Sequence, residues 1–250
     1  MSDALRLFGL KAIVTEAASG IGEAIVRTFV KQGADVLAVD SAASNIETHF
    51  RKLSRVTGLA LDMRASDSAR QLITSARSVL RGLDIVVGNF DWHGETPIAD
   101  TDRSAIDTLT AGMVAQFSAV FDVAIPLLQK SPAGRMIAVG CLRSVFSRDG
   151  EHAFRESERT LLALMQSLAM RCGESGITAN FIQPGAVMTP VSRRVFSADR
   201  DLRDHCIRLS AAKRLGEPVD IAKVVLFLAT DDSVFVSGSA IRADGGVAAH

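Results

Sequence analysis

The 250-residue chain contains no tyrosine, one tryptophan and three cysteines, and 28 basic residues balance 28 acidic ones to a formal net charge of +0. That balance, without a long run of one sign, excludes the electrostatic footprint of a nucleic-acid binder. Cys141, Cys172 and Cys206 are odd in number and far apart, which excludes a disulfide framework and predicts a reduced, cytoplasmic protein. No Cys-x-x-Cys pair points to a metal. Met1–Leu10 carries Asp3 and Arg6 and has no long apolar run, so neither a signal peptide nor a membrane span is expected. What is abundant is apolar material, 48% of the chain, which excludes disorder and fits a single domain over residues 1–250.

Short apolar runs alternate with longer amphipathic stretches. Lys11–Thr15, Asp35–Val39, Val56–Leu61, Asp84–Val87, Arg135–Val139 and Thr178–Ile182 read as strands, each about one helix from the next. Their continuous apolar character suits parallel strands buried on both faces. Ile21–Gln32 reads as a helix closed by Gly33. Leu161, Leu164, Met165, Leu168 and Ala169 mark one face of a later helix, and Ile221, Val224, Val225 and Leu228 another. The pattern predicts an α/β, doubly wound parallel sheet flanked by helices. Residues 183–203, rich in Pro, Ser and Arg, are expected to form a mobile loop or lid over a site.

Thr15-Glu16-Ala17-Ala18-Ser19-Gly20-Ile21-Gly22 joins the first strand to the first helix. In a doubly wound fold such a turn offers helix N–H groups and the helix dipole to an anion. Asp40 ends the second strand, where a carboxylate suits ribose hydroxyls and repels a 2′-phosphate, favouring NAD over NADP.

With Leu61-Asp62-Met63, the run Ile182-Gln183-Pro184-Gly185-Ala186-Val187-Met188-Thr189-Pro190, Arg214-Leu215-Gly216-Glu217-Pro218 and Asp244-Gly245-Gly246, the sequence resembles the short-chain dehydrogenase/reductase family over nearly its whole length. The resemblance implies a seven-stranded Rossmann sheet and an NAD(P)-dependent alcohol or ketone oxidoreductase. It implies cofactor contacts at Gly20, Ile21, Gly22, Asp40, Asp62, Met63, Asn89, Pro184, Gly185, Val187 and Thr189. The family's chemistry uses an Asn, a Ser, a Tyr and a Lys. Aligned by their neighbours, those four positions hold Met113, Cys141, Phe154 and Glu158 here.

Each replacement removes a function. Phenylalanine has no proton to exchange, and positioned proton transfer is worth roughly 100- to 10,000-fold. Glu158 reverses the charge that lowers a phenol's pKa, and a thiol at Cys141 is a weak donor. Glu16 stands where the family has a turn glycine. A carboxylate near a pyrophosphate repels it by about 1 kcal/mol at 4 Å in water and about 4 at an effective dielectric of 20. Phe90 and Asp91, in the segment Gly88-Asn89-Phe90-Asp91, put a ring and a further negative charge where the cofactor lies in the family.

The sequence therefore predicts a degenerate active site, with NAD(H) bound weakly or not at all. Its expected partner is an active homologue in a hetero-oligomer, or a second copy in a homo-oligomer, built on the helices at about 102–130 and 153–172. Nucleic acid, membrane and metal are not expected. Two alternatives stay open. One is an NAD(H)-dependent oxidoreductase with another proton donor, such as Glu158, His152 or a water. The other is a non-redox enzyme of dehydratase, epimerase or dehalogenase type, using Cys141, Glu158 and the cleft left free by the cofactor; a thiol at Cys141 also invites a nucleophile with His152 or His93 as its base. Trp92 either lines a cleft or caps the core.

Overall fold

The structure, a computed structural model, describes residues 5–89, 103–140 and 151–247, without the side chains of 103–107, 109–110 and 151–157. Strands β1 (Lys11–Thr15), β2 (Asp35–Asp40), β3 (Val56–Ala60), β4 (Ile85–Asn89), β5 (Arg135–Val139), β6 (Thr178–Pro184) and β7 (Ala240–Ala243) form one sheet in the order β3-β2-β1-β4-β5-β6-β7. Every pairing is parallel. The chain enters at β1, winds outward to β3, returns to lay β4 beside β1, and winds outward the other way. The β1/β4 junction is thus the point where the connections diverge, and a crevice opens there at the carboxyl ends of the strands.

Period-2 alternation sorts the strand side chains into two layers. Ile13, Val86, Met136 and Ala138 face one cluster, packed against α3 (Ser68–Leu80), α4 (Arg103–Leu128) and α5 (Glu151–Cys172). Ala12, Val14, Val87, Ile137 and Val139 face the other, packed against α1 (Gly20–Lys31) and α8 (Pro218–Ala229). A short helix, α2 (Ile46–His49), follows β2. In α4 the stretch Ala111–Leu128 has a mean hydropathy of 1.6 and is long enough to cross a bilayer, but Met113, Phe117, Val120, Phe121 and Ala124 bury their side of it in the core.

The expected irregular segment at 183–203 is corrected. It carries the end of β6, helix α6 (Pro190–Ala198) and the start of α7 (Arg200–Leu209). The cause is local. Thr189 accepts from the Ser192 amide at 3.1 Å while the Ser192 hydroxyl accepts from the Thr189 amide at 2.7 Å, a reciprocal cap with Pro190 at the first helical position. Asp199 caps α7 through the Leu202 amide at 2.8 Å. Phe196 and Cys206 then pack both helices onto Ala186.

That packing makes Cys206 a probe of the helices. Burial pushes its thiol up to about 11, so the protonated form is favoured in the folded state. The associated stability is complete below the ordinary thiol value of 9.0 and is lost as pH rises from there toward 11. At pH 8, Cys206 and the buried Cys172 should react with a disulfide reagent only as fast as the protein opens. Fast labelling of either in the native state contradicts this packing.

Candidate nucleotide site

The turn between β1 and α1 is tight. The Ala17 amide donates to the Val39 carbonyl at 3.0 Å and the Ala18 amide to Asp40 Oδ2 at 2.9 Å, tying the turn to β2. On the other side Asn89 Nδ2 donates to the Glu16 carbonyl at 3.5 Å, and Thr15 Oγ1 accepts from the Asn89 amide at 2.9 Å. At Gly22 a Cβ would stand 2.0 Å from the Glu16 carbonyl oxygen, so the helix can approach the turn this closely only with glycine there. Gly20 has φ +54° and faces Thr189, whose Cβ and Cγ2 would lie 3.3 Å from an added Cβ.

Ser19 precedes α1 without a side-chain capping bond, and the first intrahelical bond is Glu23 N–H to the Ser19 carbonyl at 3.1 Å. The first-turn N–H groups are thus free of helical partners, as anion-binding helix starts require. A cleft of about 330 Å³ opens over them, lined by Glu16, Ala18, Ser19, Gly20, Ile21, Asp40, Ser44, His49, Asn89, Gly140, Thr189, Pro190 and Val191.

Of the residues picked from sequence, Gly20, Ile21, Asp40, Asn89 and Thr189 meet around this cleft, with Glu16 among them. Gly22 stands behind, as the contact that shapes the turn. The others take positions outside the lining. Asp62 lies half exposed in a two-pronged pair with Arg64 at 3.0 and 3.2 Å, and these bonds hold its carboxyl below the usual carboxylate range. Met63 and Val187 are buried in the two core layers. Pro184 ends β6, and Gly185 lies against Asp244, whose Cα would be 2.6 Å from a Cβ. Ser44 and His49 carry no motif, and sequence reasoning missed them. They enter because the chain turns back over Asp40 into α2.

Asp40 does more than face a ribose. Its Oδ1 accepts from the Ser41 amide at 2.7 Å and its Oδ2 from Ala18, so the carboxylate is a strut of the turn. Glu16 sits at φ +49°, a left-handed conformation that suits glycine and costs a side-chain-bearing residue about 1–2 kcal/mol.

The positions expected to carry proton transfer are divided. Met113, 3% exposed, is turned into the core cluster rather than the cleft. Glu158 lies on α5, partly buried, and its Oε2 accepts from Gln183 Nε2 at 3.2 Å across to β6. Cys141, Phe90, Asp91, Trp92 and His93 lie outside the described residues, as do the side chains of His152 and Phe154. Among the described residues no group of acidic, histidine and cysteine side chains is placed to hold a metal.

Set beside known proteins, residues 17–248 match the family model described as enoyl-(acyl carrier protein) reductase. The chain is 26% identical over 250 aligned residues to a Thermotoga maritima protein named 3-oxoacyl-(acyl-carrier-protein) reductase FabG, covering 97% of this chain and 99% of that one. It is 29% identical to a Caenorhabditis elegans protein named dehydrogenase/reductase SDR family member 4, covering 100% and 99%. The crystal structure of a hydroxysteroid dehydrogenase from Escherichia coli superposes with a TM-score of 0.83 at 27% identity, covering 99% of this chain and 100% of that one.

The close approach at Gly22 gives a direct check on the turn. Gly22→Ala should lose about 1–3 kcal/mol of stability despite alanine's better helix propensity, because the clash is with backbone. Denaturant titration measures it, and an unchanged midpoint means that the turn is looser than described.

Proposed function

The chain belongs to the short-chain dehydrogenase/reductase family, and from that premise we propose that it is a member without carbonyl chemistry of its own. In this reading it serves as a non-catalytic subunit beside an active, NAD-dependent homologue. The observation that carries the reading is the complete absence of tyrosine. No phenol anywhere in the chain can pass a proton to a substrate oxygen, whichever segment approaches it. At the position of the family's lysine, Glu158 brings a negative charge and takes its hydrogen bond from a neutral amide, Gln183. That pair offers neither a cation to lower a neighbour's pKa nor a donor aimed at developing oxyanion charge.

NAD(H), where bound, supplies hydride transfer. The residues at hand for its adenosine end are Gly20, Ile21, Asp40, Asn89 and Thr189. Their hydrogen bonds organise the turn irrespective of any reaction, which is how a binding scaffold can outlast the chemistry.

The assignment of a partner is supported by the outer side of α4. Ala111, Gly112, Ala115 and Ala119 are exposed there, opposite the core-facing Met113, Phe117 and Val120. Side chains this small let a second helix approach closely. Beside them α5 exposes Met170 at 85%, and the Arg171–Asp122 ion pair at 3.0 Å fixes α5 to α4. An apolar ridge of this kind in water is the mark of a surface that is covered in use.

The isolated chain, given NADH and a panel of ketones and 3-oxoacyl thioesters, should show no turnover above buffer. Co-expressed with its nearest active homologue, it should appear in mixed oligomers by native mass spectrometry. Carbonyl reduction by the isolated chain at an ordinary rate refutes the proposal and favours a donor such as Glu158. The double change Phe154→Tyr with Glu158→Lys should bring activity up from background if those two positions are the principal block.

A further inference from the structure

We infer that Arg135 and Thr178, at the amino edge of the sheet, hold a small monovalent anion of halide size, and that this ion braces β5 against β6. The site lies at the end of the strands opposite the cleft, and it does not depend on the non-catalytic reading above.

Arg135 opens β5 and Thr178 opens β6, and the parallel register pairs the two. Paired residues of adjacent strands leave the sheet on the same face. Both side chains are buried, Arg135 to 2% exposure and Thr178 to 5%. The Gly134 carbonyl accepts the Thr178 amide at 3.1 Å and Arg135 Nη1 at 3.0 Å, so the guanidinium is folded back beside the start of β6. Arg135 Nη2 donates to Asp231 Oδ1 at 3.1 Å. Two buried side-chain atoms are then left without a partner among the described residues, Arg135 Nε and Thr178 Oγ1. Native folds rarely leave such atoms unmatched, and each one calls for a guest. The next polar side chain on this face of β6 is already engaged, since Asn180 Nδ2 donates to the Val236 carbonyl at 2.7 Å and its Oδ1 accepts from the Ser239 amide at 3.1 Å.

The chemistry of the two atoms selects an acceptor. Nε is a donor only, and a threonine hydroxyl can donate. A water could take both bonds, but it would bring two hydrogens of its own. The acceptors that Arg135 touches are in use, the Gly134 carbonyl by two donors and Asp231 Oδ1 by Nη2. Charge points the same way. A buried guanidinium requires a counter-charge, and the carboxylate it has, Asp231, is 91% exposed and shared with solvent. Burial draws the Arg135 pKa below the ordinary guanidinium value, and Asp231 opposes that shift. A single-atom anion at Nε supplies charge on the buried side. A polyatomic oxoanion would add oxygens that need further donors in a buried place.

Bromide is the probe. The melting temperature of the full chain is followed in potassium gluconate as bromide replaces gluconate at constant ionic strength, and crystals grown in bromide are examined for anomalous density. Wild type should gain about 3–5 °C per tenfold of bromide once the site fills, with an anomalous peak between Arg135 Nε and Thr178 Oγ1. Thr178→Val, of similar shape, should melt no lower than wild type in gluconate, because the hydroxyl it loses has no partner in the fold. It should lose most of the bromide response and the peak, and Thr178→Ser should keep both. The inference is overturned if no anomalous peak lies there, if the density there is that of a water, or if the bromide response is equal in Thr178→Val. A peak without the melting response marks an adventitious ion only and overturns it as well. Thr178→Val melting well below wild type in gluconate shows that the hydroxyl is partnered within the fold, with the same consequence.

Discussion

The arrangement of the cleft depends on one close contact, between the backbone of Glu16 and the bare Cα of Gly22. It lets the first turn of α1 seat directly on the end of β1, with its free N–H groups at the carboxyl edge of the sheet. Every other device at the turn works to hold that seat. Asp40 fastens the turn to β2, Asn89 reaches the Glu16 carbonyl from β4, and Thr189 fills the space beside Gly20 from the start of α6. Three strands and a helix start thus converge on a few residues, and the glycine that permits it has no substitute among side-chain-bearing residues. The strain at Glu16, a left-handed residue with a full side chain, is tolerated because the turn is over-determined from three directions.

The turn can therefore keep its shape whatever chemistry the site carries. The turn's hydrogen bonds are satisfied within the protein, so their stability does not depend on a bound ligand. The proton-transfer positions, by contrast, are connected to the core through packing, not through the turn. Met113 contributes apolar volume beneath α4, and Glu158 is held by Gln183 across the gap between α5 and β6. Met113 brings no polar group into the core and the Glu158 carboxylate accepts a hydrogen bond from Gln183, so neither side chain is at odds with the fold.

Much of the architecture was legible because the period-2 and period-3.6 patterns speak for themselves. Lys11–Thr15 and Arg135–Val139 were read with the bounds they have, and α1 within a residue. The misreading at 183–203 came from composition. Proline, serine and arginine suggested an irregular loop, although Thr189-Pro190 followed by Ser192 is a helix start written in local capping chemistry. Other features could not be read locally. Asp40 bonds an amide 22 residues away, and Glu158 meets a partner 25 residues away. Such pairings are decided by sheet order. Whether Met113 faces core or cleft is likewise a matter of helix rotation, which periodicity within a uniformly apolar stretch does not fix.

The two acidic residues at opposite ends of the family's cofactor track deserve to be taken together. By the family resemblance, Glu16 stands at a turn-glycine position beside the phosphate seat and Glu158 at the position of the lysine at the reacting end. Both changes move the local charge in the same direction, away from a polyanionic ligand. Charges acting on one bound molecule do not contribute independently, because each alters where the molecule can sit. A ligand displaced at one end would also be displaced at the other. On the proposed reading the binding end and the reacting end are coupled through the ligand. On the proposed non-catalytic reading, holding a dinucleotide brings no advantage at the reacting end, while the turn is kept by the strands it joins.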